Sequence, residues 1–378
     1  MEALPLIRIA GGAFERGQQY GRAAADQIAL VLDVYRNEFA RKDLSWAEAS
    51  TLGEEFGVLM RDYDAELMTE IEGIAEGARQ SVSAIVILNA RTELVYWKGA
   101  RDGAAARNGP EFAPDECTSG VAMPEITADG HLLHAQNWDW QPDCAAASLV
   151  LHIEHEDERP DILTCVEAGQ LARHGMNRLG LGLTANGLHS GHDYGRFGVP
   201  NPFIRRRMLA SPTLARALYE LMNSPRAFSH NVTVSDAAGE AFDIETTPDE
   251  CFWLEPDEGV LSHANHFKCP VARLRVADAN IARCPETIYR ERRLRAALKR
   301  ASGQITVDTF KAALADRYGA PDSICRSPAP RPGGMVSASL YSLIMDVTAR
   351  RMWVAPTPFE GAEYAEYGFD AGPAGGCR

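Results

Sequence analysis

Near residue 101 the hydrophobic period of this 378-residue chain changes, and that change restricts the folds open to it. Before it, apolar residues recur every three or four positions. Tyr20, Ala24, Ile28, Leu32, Tyr35 and Phe39 form one stripe between Phe14 and Phe39, which predicts an amphipathic helix. Ser45 followed by Glu48 is a capping box that opens a second helix to about Arg61. Leu67, Ile71, Ile74 and Ala78 stripe a third, and Ser83 caps a fourth through Ile85, Leu88, Thr92 and Tyr96. Residues 101–115, rich in Gly, Pro and Ala, show little period and read as an exposed linker. After them the period is two. Strands are predicted at Val121–Met123, His131–Trp138, Leu149–His155, Ile162–Glu167 and Leu181–Asn186. A helical stretch from about Pro202 to Met222 precedes strands at Asn231–Ser235, Ala241–Thr246, Phe252–Leu254 and Val260–Ala264. Helices at Glu286–Arg300 and Val307–Tyr318, a hairpin of Val336–Asp346 with Arg351–Ala355, and a loose Gly-rich tail from Gly361 complete the pattern. Runs of strands and runs of helices, rather than strict alternation, predict an α+β chain with antiparallel sheet.

Composition excludes some partners. A net charge of −14 argues against nucleic acid and anionic membranes. The N-terminus lacks the basic and long apolar segments of a signal peptide, and no run reaches the roughly 18 apolar residues of a membrane helix, so a cytoplasmic location is expected. The eight cysteines (Cys117, Cys144, Cys165, Cys251, Cys269, Cys284, Cys325 and Cys377) include no C-x-x-C pair. In a reducing compartment most are small buried hydrophobes, leaving one or two for chemistry.

Four segments carry groups with chemical potential. Cys117 stands where the linker meets the first strand. Cleavage of the Glu116–Cys117 bond would give it a free α-amine, with a pKa of roughly 7.7–8.0, to serve its own thiol as base. Local sequence alone favours the other reading, a buried structural cysteine. Asp139 ends the next strand, in Gln136-Asn137-Trp138-Asp139-Trp140, and a hairpin would carry it toward Cys117. There it either steadies an ammonium or bonds its own turn. In His263-Ala264-Asn265-His266 the H-x-x-H spacing suggests a metal, but on a strand it puts the two rings on opposite faces, and no H-E-x-x-H or C-x-x-C accompanies it. The other reading uses Asn265 as an amide donor to an oxyanion. Arg326, in Ser323-Ile324-Cys325-Arg326, is either solvated or a partner for a substrate carboxylate.

Taken together these segments resemble a known family. Cys117-Thr118-Ser119, Gln136-Asn137-Trp138-Asp139, Glu167-Ala168-Gly169, Gly175-x-Asn177-x-x-Gly180-Leu181, Asn186-Gly187-Leu188, the His263–His266 segment and the Ser323–Arg326 segment follow in order. Gly17-x-x-Tyr20-Gly21, Glu70-x-Glu72-Gly73-Ile74-Ala75 and Asn89-Ala90-Arg91-Thr92-Glu93 precede them. The set is similar to the acyl-coenzyme A:6-aminopenicillanic acid acyltransferase (isopenicillin N acyltransferase) family of N-terminal nucleophile hydrolases, up to about Pro358.

The resemblance implies a four-layer αββα sandwich with a helical N-terminal segment. It implies a precursor that cuts itself at Glu116–Cys117 into residues 1–116 and 117–378, which stay associated. Cys117 would be the nucleophile and Asp139 would contact its amine and thiol. Asn265 would donate to the oxyanion, Asn186 would position the reacting carbonyl, and Arg326 would be an active-site arginine. The implied activity runs through a thioester acyl-enzyme, with no cofactor and no metal. Hydrolysis of a small N-acyl amine, N-acyl amino acid or short peptide is expected, the alternative being acyl transfer from acyl-coenzyme A as a substrate. Glu116 departs from the glycine that often precedes the nucleophile, and glycine tolerates the strained backbone that favours an N-to-S acyl shift.

Overall fold

The computed structural model describes residues 2–95, 116–193, 196–331 and 335–370. Strand β1 (Leu6–Ile9) leads into helices α1 (Ala13–Ala23), α2 (Ala25–Arg41), α3 (Trp46–Tyr63), α4 (Ala65–Ala78) and α5 (Val82–Asn89). Strands β2 (Glu116–Ala122), β3 (Leu133–Trp140), β4 (Ser148–Ile153), β5 (Ile162–Glu167), β6 (His174–Asn177) and β7 (Leu181–Gly187) follow. Helices α6 (Asn201–Leu209) and α7 (Leu214–Met222) precede β8 (His230–Asp236), β9 (Glu240–Thr246), β10 (Cys251–Leu254) and β11 (Val260–His263). The chain ends with α8 (Pro270–Arg275), α9 (Glu286–Arg300), α10 (Val307–Leu314), β12 (Ala329–Pro330), β13 (Val336–Asp346), β14 (Arg351–Pro356) and β15 (Ala365–Gly368). No described helix is long and apolar enough to cross a membrane.

The strands form two sheets. One runs β1-β4-β5-β6-β7-β8-β9-β10 and is antiparallel except for the β1–β4 pair. The other runs β11-β2-β3-β13-β14-β15, with β12 pairing β13. In β2 every residue is buried, so both of its faces are covered. Odd-numbered residues such as Val121 face the first sheet, while Ala122 joins Leu133, Ala135 and Ile344 under Leu294, Leu298, Phe310 and Leu314 of α9 and α10. Helix α6 packs on β6 and β7 from the far side. The layers are therefore helix, sheet, sheet, helix, the four-layer αββα arrangement.

Several predicted boundaries move. The Phe14–Phe39 stripe breaks at Ala24, a cap with φ −114° and ψ 20°, into two helices. Ser81 rather than Ser83 caps α5, its side chain accepting from the Ala84 N–H. The 202–222 stretch divides around Pro212. The tail is not loose throughout, since β15 pairs with β14. Strand β1, too short for a period, escaped the sequence reading. The linker expected at 101–115 lies outside the described residues.

Candidate active site

The β2–β3 register decides which side chains meet. Cys117 pairs with Trp138, and Glu116 pairs with Asp139. Directly opposed residues share a face, so Cys117 and Trp138 point between the sheets while Glu116 and Asp139 point toward α9. The hairpin thus brings Asp139 beside the Glu116–Cys117 bond, but its carboxylate and the Cys117 thiol leave opposite faces.

On the inner face Trp138 and Tyr341 rings lie 5.1 Å apart, and the Arg173 guanidinium lies 4.0 Å over Trp138. Tyr341 hydroxyl reaches His174 Nδ1 at 2.8 Å. Asn186 Nδ2 donates to Ser119 Oγ (3.1 Å) and to the Ala264 carbonyl (3.0 Å), and its oxygen accepts from Gln136 Nε2 (3.0 Å). Asn186 therefore stands two residues along the face that carries Cys117.

In the plane of the sheet, Asn265 sits just past β11, where the His263–Ser119 register carries it opposite Cys117. Its Oδ1 accepts the Cys117 N–H at 3.0 Å and Arg290 Nη2 at 2.9 Å, while Nδ2 donates to the Gly187 carbonyl at 3.1 Å. Arg290 Nη1 also donates to the Cys117 carbonyl (2.7 Å) and Thr118 Oγ1 (2.8 Å). The amide nitrogen of the Glu116–Cys117 bond is thus fixed by Asn265, and Asn265 and the Cys117 carbonyl are both fixed by a buried arginine. Among its described contacts, Asn265 accepts at the Glu116–Cys117 amide, and its nitrogen serves Gly187.

The outer face holds a buried ion cluster. Arg331 Nη2 lies 2.5 Å from Glu116 Oε1, and Arg326 Nη1 lies 3.1 Å from Glu116 Oε2. Arg326 Nε lies 3.5 Å from Asp139 Oδ2. Ser339 Oγ donates to Asp139 Oδ1 at 2.5 Å and accepts the Arg326 N–H at 2.9 Å. Arg331 also contacts Glu286 and Asp322. Burial pushes the Glu116 carboxyl up, but Arg326, Arg331 and Arg290 outweigh it and hold the group below the usual range. Burial dominates at Asp139, whose pKa rises to about 6 despite Arg326 and Arg290, with Glu116 adding to the rise.

The metal alternative finds no geometry. His263 Nε2 binds Glu245 Oε1 at 2.8 Å, and His266 Nδ1 binds Thr287 Oγ1 at 3.0 Å. Neither ring joins a described group of three convergent ligand atoms. Glu116, Cys284 and Glu286 do converge, but the Arg331 guanidinium lies between them, 3.6 Å from Cys284 Sγ.

Sequence reading placed Cys117, Asp139, Asn265, Asn186 and Arg326 in one neighbourhood, and the fold brings all five there. Arg290, Arg331, Glu286 and Ser339 were missed. The Glu286–Arg290–Leu294 spacing of four, which sets charges within the buried stripe of α9, was the available signal. In α6, Arg205 and Arg206 are buried, with Arg206 paired to Glu70 at 2.9 and 3.0 Å.

Residues 126–357 match the family described as acyl-coenzyme A:6-aminopenicillanic acid acyl-transferase. A curated relative, the acyl-coenzyme A:6-aminopenicillanic-acid-acyltransferase 40 kDa form of Emericella nidulans, is 28% identical over 346 residues, covering 91% of this chain and 90% of its own. Among solved structures, an arginine-to-leucine variant of conjugated bile acid hydrolase from Clostridium perfringens is 15% identical, covering 67% of this chain and 92% of that one, with a TM-score of 0.48. Penicillin V acylase from Agrobacterium tumefaciens is 12% identical, covering 67% and 86%, with a TM-score of 0.43. With the family model matched across more than half of its length, the chain belongs to the acyl-coenzyme A:6-aminopenicillanic acid acyl-transferase family and is an acyl-transferring or amide-hydrolysing enzyme.

Proposed function

We propose that the chain activates itself by cutting Glu116–Cys117 and then hydrolyses small N-acyl amines, N-acyl amino acids or short peptides through Cys117, with no bound cofactor. The observation that carries this reading is the hold on either side of Cys117: Asn265 takes the N–H of the Glu116–Cys117 amide, while Arg290 takes the carbonyl of the following peptide and also binds Asn265.

In self-processing, Cys117 Sγ attacks the Glu116 carbonyl carbon. The C–N bond breaks, the thiol proton passes to the departing nitrogen, and a thioester joins Glu116 to Cys117. Water then releases the Glu116 carboxylic acid and restores the thiol. Asp139, as a buried carboxylate beside this bond, stabilises positive charge on the emerging amine. In turnover the α-amine accepts the thiol proton and returns it to the leaving amine. Asn186 positions the substrate carbonyl, and Asn265, released from the scissile N–H, turns its amide toward the oxyanion. Acyl transfer is the second reading, favoured by the curated relative's name. There an amine replaces water and acyl-coenzyme A supplies the acyl group.

Mass measured under denaturing conditions, wild type beside Cys117→Ala, tests the proposal. Two wild-type fragments, the larger beginning at Cys117, with an intact variant, are expected. An intact wild-type chain that also resists a thiol-directed acylating probe would overturn it.

A further inference from the structure

Glu116 is fully buried, and its carboxylate is shared by two arginines from a distant stretch of chain: Arg331, 215 residues away, at 2.5 Å and Arg326 at 3.1 Å. Such a pocket is an unusual setting for a residue whose only task is to be cut away. Both arginines keep other acidic neighbours, Asp322 and Glu286, and Arg326 also faces Asp139. With Glu116 in place, four carboxylates face three guanidiniums, those of Arg290, Arg326 and Arg331. Once Glu116 departs and Cys117 carries an ammonium, three carboxylates face four cations. Burial makes that imbalance costly unless an anion takes the vacated position.

The chemistry of processing says which anion. The thioester formed by self-cleavage and the acyl-enzyme formed from a substrate are the same species, an acyl group on Cys117 Sγ. In the first, the acyl group is Glu116, with its side-chain carboxylate between Arg326 and Arg331. We infer that the substrate's acyl arm likewise ends in a carboxylate, set at glutaryl length from the reacting carbonyl and received by Arg331 and Arg326. The inference rests on the self-processing reading above and deepens it by naming the acyl class. An arm of that length with a bidentate acceptor suits guanidinium donors, which bind carboxylates through two parallel bonds. Asp322, whose side chain is partly exposed, carries the cluster toward the surface. Attack by Sγ on the glutaryl carbonyl breaks its C–N bond, the amine leaves with the proton held by the α-ammonium, and water then releases glutarate and the thiol.

The test compares N-glutaryl-4-nitroanilide with N-pentanoyl-4-nitroanilide on the cut wild-type protein. A charge-assisted pair predicts a glutaryl preference of roughly tenfold or more in kcat/KM. The Arg331→Gln variant should lose most of that preference through KM. Because this variant also loosens the Glu116 pocket and so the processing step, competition is measured on wild type as well: glutarate should protect Cys117 from iodoacetamide at lower concentration than pentanoate. That protection also decides the matter if neither anilide is turned over. A cut, thiol-reactive chain with equal or inverted preference would overturn the acidic-arm inference and leave self-processing standing. A chain that is neither cut nor thiol-reactive would overturn the proposed function and this inference with it.

Discussion

At the residue scale, Glu116 changes meaning between sequence and structure. In sequence it was a departure from glycine that weighed against self-cleavage. In the fold it is a strand residue anchored by Arg331 and Arg326, so the carbonyl to be attacked is held by its own side chain. The charge of Asp139 next to it sets a pH dependence. Its folded pKa, raised to about 6, means the carboxylate proposed to stabilise the emerging amine is largely protonated at pH 5 and largely ionised at pH 7. Self-cleavage should therefore speed up roughly tenfold over that interval, following the ionised fraction. Asp139→Asn should slow it and flatten the profile, as read from fragment appearance over time. For stability the sign is opposite. A raised carboxyl pKa favours the uncut fold below the unfolded value, and that contribution is lost as pH rises through about 6. Arg290 supports a second prediction. It donates to the Cys117 carbonyl, Thr118 and Asn265, so Arg290→Met should slow processing roughly tenfold to a hundredfold. Arg290→Lys should recover only part of the rate, because an ammonium lacks the fork that spans these acceptors.

At the scale of elements, helices α1 and α4 explain motifs that the sequence could only match. A Cβ on Gly17 would lie 2.1 Å from the Glu70 carbonyl oxygen, and one on Gly73 2.2 Å from that of Phe14. The two backbones touch, and no larger residue fits between them. Gly73→Ala should lower the melting temperature by several degrees, an overpacking cost of about 1–3 kcal/mol or more. Gly57→Ala in α3, where a Cβ meets only side-chain methyls at 3.8 Å, should leave it unchanged or raise it slightly. Comparative thermal melts decide. The same contrast marks what sequence could reveal. Strands and helices with long periods were legible, as was the order of Cys117, Asp139, Asn186, Asn265 and Arg326. The capping residue of α5, the break at Ala24 and strand β1 were not, because each turns on one or two residues and on tertiary contacts. Arg331 was invisible for a related reason: an isolated arginine in a loop gains its role only when β12 folds beside Glu116.

At the scale of the molecule, the proposed cleavage at Glu116–Cys117 would leave the two pieces interlocked. Strand β1 and helices α1 to α5 belong to the first piece, yet β1 pairs with β4 and extends the eight-stranded sheet. Asn89 Nδ2 donates to the Gly169 carbonyl and Asn89 Oδ1 accepts the Leu171 N–H, while Tyr20 hydroxyl accepts the Gly169 N–H at 2.7 Å. The buried Glu70 carboxylate binds Arg16 within its own piece and Arg206 across the division. The cut protein should therefore elute from a native size-exclusion column where the uncut Cys117→Ala chain does, and separate only in denaturant. Glu70→Ala strands two buried guanidiniums, which should cost about 3–5 kcal/mol and lower the denaturant midpoint. Acid should act in the same direction. Burial raises the Glu70 pKa, but Arg206 and Arg16 outweigh it and hold the carboxyl low. Its contribution is thus complete above the ordinary carboxylate range and is lost as pH falls through the depressed value. Denaturant midpoints measured from neutral pH downward should fall for the cut wild type below about pH 4. In the Glu70→Ala variant that part of the fall should be missing, because the group that takes up the proton is gone. If instead the two profiles ran parallel, Glu70 would not be the acid-sensitive tie between the pieces.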